Sequence, residues 1–117
     1  MHEASIAEAL IKTAEEELKR SYPQKVARIK ILEIKVGKLS GVSVDALKFA
    51  FEILKKGTSL EDAELKVEEP KAVCNCRSCG KTSEIDDLFQ GCPLCKSFNI
   101  DIKGGDELLI ESIEVEE

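Results

Sequence analysis

Four of the five cysteines in this chain stand as two pairs, Cys76-x2-Cys79 and Cys92-x2-Cys95, with twelve residues between them. Two such pairs read as a pair of knuckles facing one another across one metal ion. Four thiolates in tetrahedral array suit Zn(II), and a closed all-sulfur shell leaves no position open for catalysis. The fifth, Cys74, lies two residues before the first knuckle, so in an extended chain it shares a face with Cys76. It is either a buried small hydrophobe or an extra, exchanging zinc ligand. Residues 71–104 hold few large apolar side chains: Ile85, Leu88, Phe89, Leu94, Phe98, Ile100 and Ile102. Metal binding must therefore supply most of the folding free energy there, on the order of 10 kcal/mol. The expected product is a ribbon of short strands and loops around zinc.

The sequence outside the cysteines has the patterning of a compact α+β unit. Ile6, Leu10, Ala14 and Leu18 recur every fourth residue, which predicts an amphipathic helix over 5–21 that stops before Pro23. Residues 26–36 are rich in β-branched side chains and predict a strand. Its phase slips, however: Ala27, Ile29 and Ile31 share one face, whereas Leu32, Ile34 and Val36 share the other. A bulge near Ile31-Leu32, or burial on both faces, accounts for this. Gly37 to Gly41 makes a turn that lacks the upstream glycine of a phosphate-binding loop. Ser43 then caps a second helix over 44–56, with Leu47, Ala50, Phe51 and Leu54 as its buried stripe and Gly57 as its stop.

Ala63, Leu65 and Val67 mark a strand ending at Pro70, and residues 107–116 return to strand character after Gly104-Gly105. A lone terminal strand cannot fold by itself, so it must pair back with the first unit. The expected architecture is α+β, with two helices on one face of a small three-stranded sheet. Residues 1–70 and 105–117 would form that domain, and 71–104 an inserted zinc-ribbon domain.

Charge narrows the function. The net charge of −6 makes the chain a poor match for nucleic acid or an anionic membrane. No apolar run has the length of a membrane span, and residues 1–20 carry too many acids for a signal peptide. A cytoplasmic protein is expected, a compartment in which clustered cysteines bind metal rather than form disulfides. Neither a nucleophile–base pair nor a second histidine is present, so no enzyme is expected.

The only histidine stands in Met1-His2-Glu3. The Met1 amine, the His2 amide and the His2 imidazole would close a five-membered and a six-membered chelate ring on one ion. Such a planar array of nitrogens suits Ni(II) or Cu(II), and Glu3 can add an oxygen.

Met1-His2-Glu3, Gly37 at the end of the first strand, the cysteine cluster at 74–79 and Cys92-Pro93-Leu94-Cys95 together resemble the HypA/HybF family of hydrogenase nickel-incorporation proteins, over essentially the whole chain. The resemblance implies a nickel metallochaperone for [NiFe]-hydrogenase maturation, with urease a second client in some bacteria. It further implies Ni(II) at His2 with Glu3 as accessory ligand, and Zn(II) at Cys76, Cys79, Cys92 and Cys95. The partners it implies are a HypB-type GTPase and the hydrogenase large-subunit precursor. A second copy of the chain is a further candidate partner, and no nucleic acid or membrane is expected.

Two other classes use similar cysteine motifs. A rubredoxin-like electron carrier fits Cys79-Gly80 but not Cys95-Lys96. A nucleic-acid-binding zinc ribbon needs a basic stripe, whereas residues 71–103 sum to +1 before the thiolate-bound zinc contributes about −2.

Overall fold

The computed structural model describes residues 2–24, 26–87 and 89–116 of the 117. Its elements run α1 (Glu3–Ser21), β1 (Arg28–Val36), α2 (Val44–Leu54), β2 (Glu64–Glu68), β3 (Ala72–Cys76), β4 (Thr82–Ile85), β5 (Ile100–Lys103) and β6 (Leu108–Glu116). The strands form two three-stranded sheets, ordered β2-β1-β6 and β4-β3-β5. The terminal strand thus pairs back with β1, as a strand without a local partner must. The chain divides into two compact units: Met1–Ile34 with Val42–Val67 and Ile110–Glu117, and Lys35–Gly41 with Glu68–Leu109.

In the first unit, which holds the β2-β1-β6 sheet, the two helices pack on one another. Helix α1 buries Ala7, Leu10, Ile11, Ala14 and Leu18, the stripe that its periodicity predicts. It begins two residues earlier than expected, with His2 at the N-cap, and ends where the Tyr22 N–H donates to the Leu18 carbonyl before Pro23. Helix α2 is capped by Ser43, whose hydroxyl accepts from the Ala46 N–H at 3.3 Å. That satisfies one of the donors a helix start leaves unpaired. The helix ends at Leu54 rather than residue 56, and Gly57 takes a φ of +80° just beyond it. Only Leu47 and Phe51 of the predicted stripe are buried. Leu54 is 38% exposed. In β1, Ile29 and Leu32 are both buried although three residues apart, and burial then alternates through Ile34 and Val36. The slip of phase in the sequence is thus a slip in which face of the strand is buried.

The second unit is built on β3, which pairs antiparallel with β4 and β5. Ala72, Cys74 and Ile85 form its small apolar core, with Leu39 and Ile100 packed against it half-buried. Of the six described apolar residues among the seven that the sequence offers to this segment, only Ile85 is buried outright. Phe89, Leu94 and Phe98 are exposed, and Leu88 lies outside the described residues.

The turn after β1 belongs to this core. The N–H groups of Gly37, Lys38 and Leu39 donate to the carbonyls of Glu107, Pro70 and Gly105 at 2.8, 2.9 and 2.6 Å, which seats Leu39 on Ala72, Cys74 and Ile85. Gly37 is required by space rather than by φ: a Cβ there would lie 2.1 Å from the Gly105 carbonyl oxygen. Gly41 is the converse, with φ +78° and nothing within 4 Å of an added Cβ. Gly37→Ala should accordingly cost at least about 1–3 kcal/mol through forced backbone movement, and Gly41→Ala only about 1 kcal/mol for its dihedral angle. Thermal melts of the two variants check this ranking, and equal midpoints would contradict it.

Candidate metal centres

The sequence places a Cys-x-x-Cys pair at each of two tight turns, and both fold in the same way. In the first, Gly80 N–H donates to the Cys76 carbonyl at 3.0 Å and Gly80 has φ +74°. In the second, Lys96 N–H donates to the Cys92 carbonyl at 2.9 Å and Lys96 has φ +67°. The Gly/Lys difference that separates Cys95-Lys96 from a rubredoxin-like pattern is therefore a difference of residue and not of conformation. Lys96 is the only non-glycine with positive φ among the described residues. An L-residue in that region costs about 1–2 kcal/mol. Other bonds hold the knuckles together: Ser78 and Ser97 hydroxyls lie 2.9 Å apart, Arg77 pairs with Asp101, and Cys92 N–H donates to the Ser97 carbonyl at 2.8 Å.

The turns bring the four sulfurs of Cys76, Cys79, Cys92 and Cys95 within 4.8 Å of one another. Across the knuckles, Cys76 and Cys95 sulfurs are 3.5 Å apart and Cys79 and Cys92 sulfurs 3.7 Å. A tetrahedral zinc with Zn–S bonds of about 2.3 Å has S···S edges of about 3.8 Å, so the cluster has the size of a zinc shell. Cys76 and Cys92 are buried, while Cys79 and Cys95 reach the surface.

Backbone amides favour the ionised form of two of these thiols. The Cys79 N–H, which donates to the Cys76 sulfur at 3.4 Å, lowers Cys76. Chiefly through the Cys95 N–H, Cys92 falls to about 6. Cys95 behaves oppositely. The Ser97 N–H pulls it down, but the sulfurs of Cys76, Cys92 and Cys79, together with desolvation, push it up to about 12. Four thiolates this close repel one another, and a divalent cation is what allows all four to ionise together.

Cys74 stands apart. It is fully buried in the β3 core, opposite Ser83 on β4 and Ile102 on β5, and it is not in the cluster of four. Burial first, and then the neighbouring Cys92, Cys76 and Cys79, raise its thiol.

At the other site, His2 is exposed in extended backbone conformation at the N-cap of α1, and its side chain makes no capping bond. The Glu3 carboxylate is engaged: its Oε2 accepts from the Ser43 N–H at 3.0 Å, and this bond is the main reason its pKa is lowered. The start of α1 is thus tied to the N-cap of α2. Nothing in the sequence pairs Glu3 with Ser43, forty positions apart. Met1, whose amine is an expected nickel ligand, lies outside the described residues.

Cys76→Ser and Cys95→Ser should each release zinc and unfold the second unit, while α1 and α2 persist because they bury their own stripes. Cys74→Ala should keep one zinc per chain and lose stability only as a core truncation does. Metal content and helical circular dichroism check this, and full zinc in either serine variant would refute the assignment. Lys96→Gly, which relieves the positive φ, should stabilise the same unit by about 1 kcal/mol.

A family model described as "Hydrogenase/urease nickel incorporation, metallochaperone, hypA" matches residues 1–115. The hydrogenase maturation factor HypA of Chlorobaculum parvum is 40% identical over 116 residues, covering 99% of this chain and 100% of the relative. That of Methanocaldococcus jannaschii is 35% identical over 121 residues, covering 99% and 98%. Among solved structures, that of the Ni metallochaperone HypA from Helicobacter pylori is similar with a TM-score of 0.65 at 26% identity, covering 97% of both chains. With its two helices, small sheets, four-cysteine cluster and whole-length match, the chain belongs to the HypA family of hydrogenase and urease nickel-incorporation metallochaperones.

Proposed function

We propose that this chain carries Ni(II) as cargo on Met1, His2 and Glu3 and hands it on during maturation of [NiFe]-hydrogenase in the cytoplasm. The observation that carries the reading is His2: the only histidine, exposed, at a helix N-cap, with its ring in no capping bond. An N-cap amide needs no partner within the helix, so the His2 N–H can lose its proton to nickel without breaking a helical bond. With Met1 as the terminal residue, its amine and the imidazole complete the chelate. So open a site, with few ligands and little around them, permits ligand-by-ligand exchange with an acceptor. Because the Glu3 carboxylate binds Ser43 N–H, it is an accessory ligand that must share its oxygens between nickel and α2.

Cys76, Cys79, Cys92 and Cys95 hold Zn(II) as a resident ion, and Cys74 packs beneath them. The zinc supplies charge balance and a core to a segment with few buried apolar residues, a domain built on 71–104 together with the 37–39 turn. The partners are a HypB-type GTPase and the hydrogenase large-subunit precursor. No step of catalysis is assigned to the chain.

Nickel titration of untagged protein tests this. His2→Ala should abolish tight nickel binding while leaving zinc and fold intact. Extending or acetylating the N-terminus should impair binding with His2 unchanged, because acylation turns the amine donor into an amide. Glu3→Gln should weaken nickel less, since Gln still presents an oxygen to the Ser43 N–H. Acid should also release nickel as the imidazole and the terminal amine take up protons. Normal nickel binding by His2→Ala would remove the proposed site.

A further inference from the structure

Strand β6 ends the β2-β1-β6 sheet, so one of its edges carries no paired strand. Along such an edge alternate residues point N–H and C=O outward, where only water or another strand can meet them. None of the nine residues of β6 is buried. Its two faces differ. The Ser112 hydroxyl donates to Glu33 Oε2 at 2.9 Å, and Glu33 alternates with the buried Leu32 and Ile34 of β1. Ser112 therefore lies on the face away from the core, and the exposed Glu114 and Glu116 share that face. Ile113 and Val115 take the other face and are only half-buried. With Ile110 they line a groove of about 350 Å³ whose far wall is the end of α1: Leu18, Ser21 and the C-cap Tyr22. The sheet is one strand short beside that groove.

Charge decides what fills it. Strand β6 holds three glutamates and no basic residue. Among the described residues Glu114 and Glu116 take part in no ion pair. The hollow that they share with Lys30 and Asp62 sets one base against three acids. A second β6 is a poor occupant of this edge. It would bring its own glutamates against these, and like charges opposite one another weaken a strand pair. A strand that meets Ile113 and Val115 with apolar side chains, and Glu114 and Glu116 with basic ones, matches both faces at once.

We propose that the open edge of β6 binds an extended segment of another protein as a fourth strand, one in which aliphatic side chains alternate with lysine or arginine. Main-chain hydrogen bonds to β6 supply affinity, and the alternation supplies selectivity. The aliphatic side chains enter the groove beside Leu18 and Tyr22, and the basic ones lie along the acidic face of β6.

Titration of the zinc-loaded full chain with a capped peptide of alternating valine and lysine, as long as β6, tests the proposal. Peptide anisotropy reads binding, and amide hydrogen exchange reads its place. Binding should saturate and slow exchange at alternate amides of β6, those that face outward. The matching valine–glutamate peptide should bind about tenfold more weakly or worse, since it sets acid against acid. N-methylating either the valine or the lysine amides keeps charge and apolar surface, yet removes donors from one edge only. One methylated peptide should therefore lose binding and the other keep it. Glu114→Lys/Glu116→Lys, on an exposed face, should reverse the preference between the two peptides while zinc content and circular dichroism stay unchanged. Unaltered exchange in β6 at millimolar peptide overturns the proposal. Two methylated peptides that bind alike also overturn it, because charge attraction alone would then explain the binding. So do β6 amides that grow protected with protein concentration in the absence of peptide, which would mean that a second copy occupies the edge.

Discussion

Mutual repulsion among four sulfurs is the constraint on which the second unit depends. Cys76, Cys79, Cys92 and Cys95 lie within 4.8 Å of one another in a segment whose buried apolar core is little more than Ala72, Cys74 and Ile85. Without a cation the four cannot share the same state: amides draw Cys92 down to about 6, while its neighbours hold Cys95 up to about 12. In the proposed reading a divalent ion removes that conflict and supplies the cohesion the side chains do not. The paired turns, the Ser78–Ser97 contact and the Arg77–Asp101 pair hold the sulfurs at that separation. They even do so at the expense of a positive φ at Lys96.

The two candidate metal sites divide two incompatible requirements. A resident ion needs a closed, saturated shell, and the four clustered cysteines, two of them buried, are compatible with one. A transported ion needs the opposite: few ligands, exposure and an easy route for exchange. In the proposed reading His2 at an N-cap meets that need, since it is exposed and its side chain makes no capping bond. Glu3 links this open end to the rest of the first unit through Ser43, so the site is exposed but still anchored.

Much of this was legible in the sequence, and for identifiable reasons. Four-residue spacing located α1, a serine before an apolar run located the cap of α2, and cysteine spacing located the metal cluster, because each signal is local. What was missed is non-local. Gly37 and Leu39 read as a simple turn, yet they belong to the core of the second unit, because Gly105 approaches where only a glycine leaves room. The Glu3–Ser43 bond likewise joins two helix starts that no periodicity relates. The ribbon's few large apolar residues were read as too few for a core, and most of them are indeed exposed, Phe89, Leu94 and Phe98 among them. Apolar character shows which side chains water disfavours, not whether a segment this small has an interior to receive them. Leu54 was assigned to a buried stripe by spacing alone, but α2 ends there and its side chain stays half-open.

The central claim is that cargo and resident metals occupy chemically separate sites, nitrogen and oxygen at the N-terminus and sulfur in the cluster. X-ray absorption at the nickel and zinc edges of protein loaded with one equivalent of each metal tests it directly. The account predicts a nickel shell of nitrogen and oxygen only, with imidazole scattering, beside a zinc shell of four sulfurs near about 2.3 Å. Sulfur in the nickel shell, or fewer than four around zinc, would mean that nickel enters the cysteine cluster and would contradict the account.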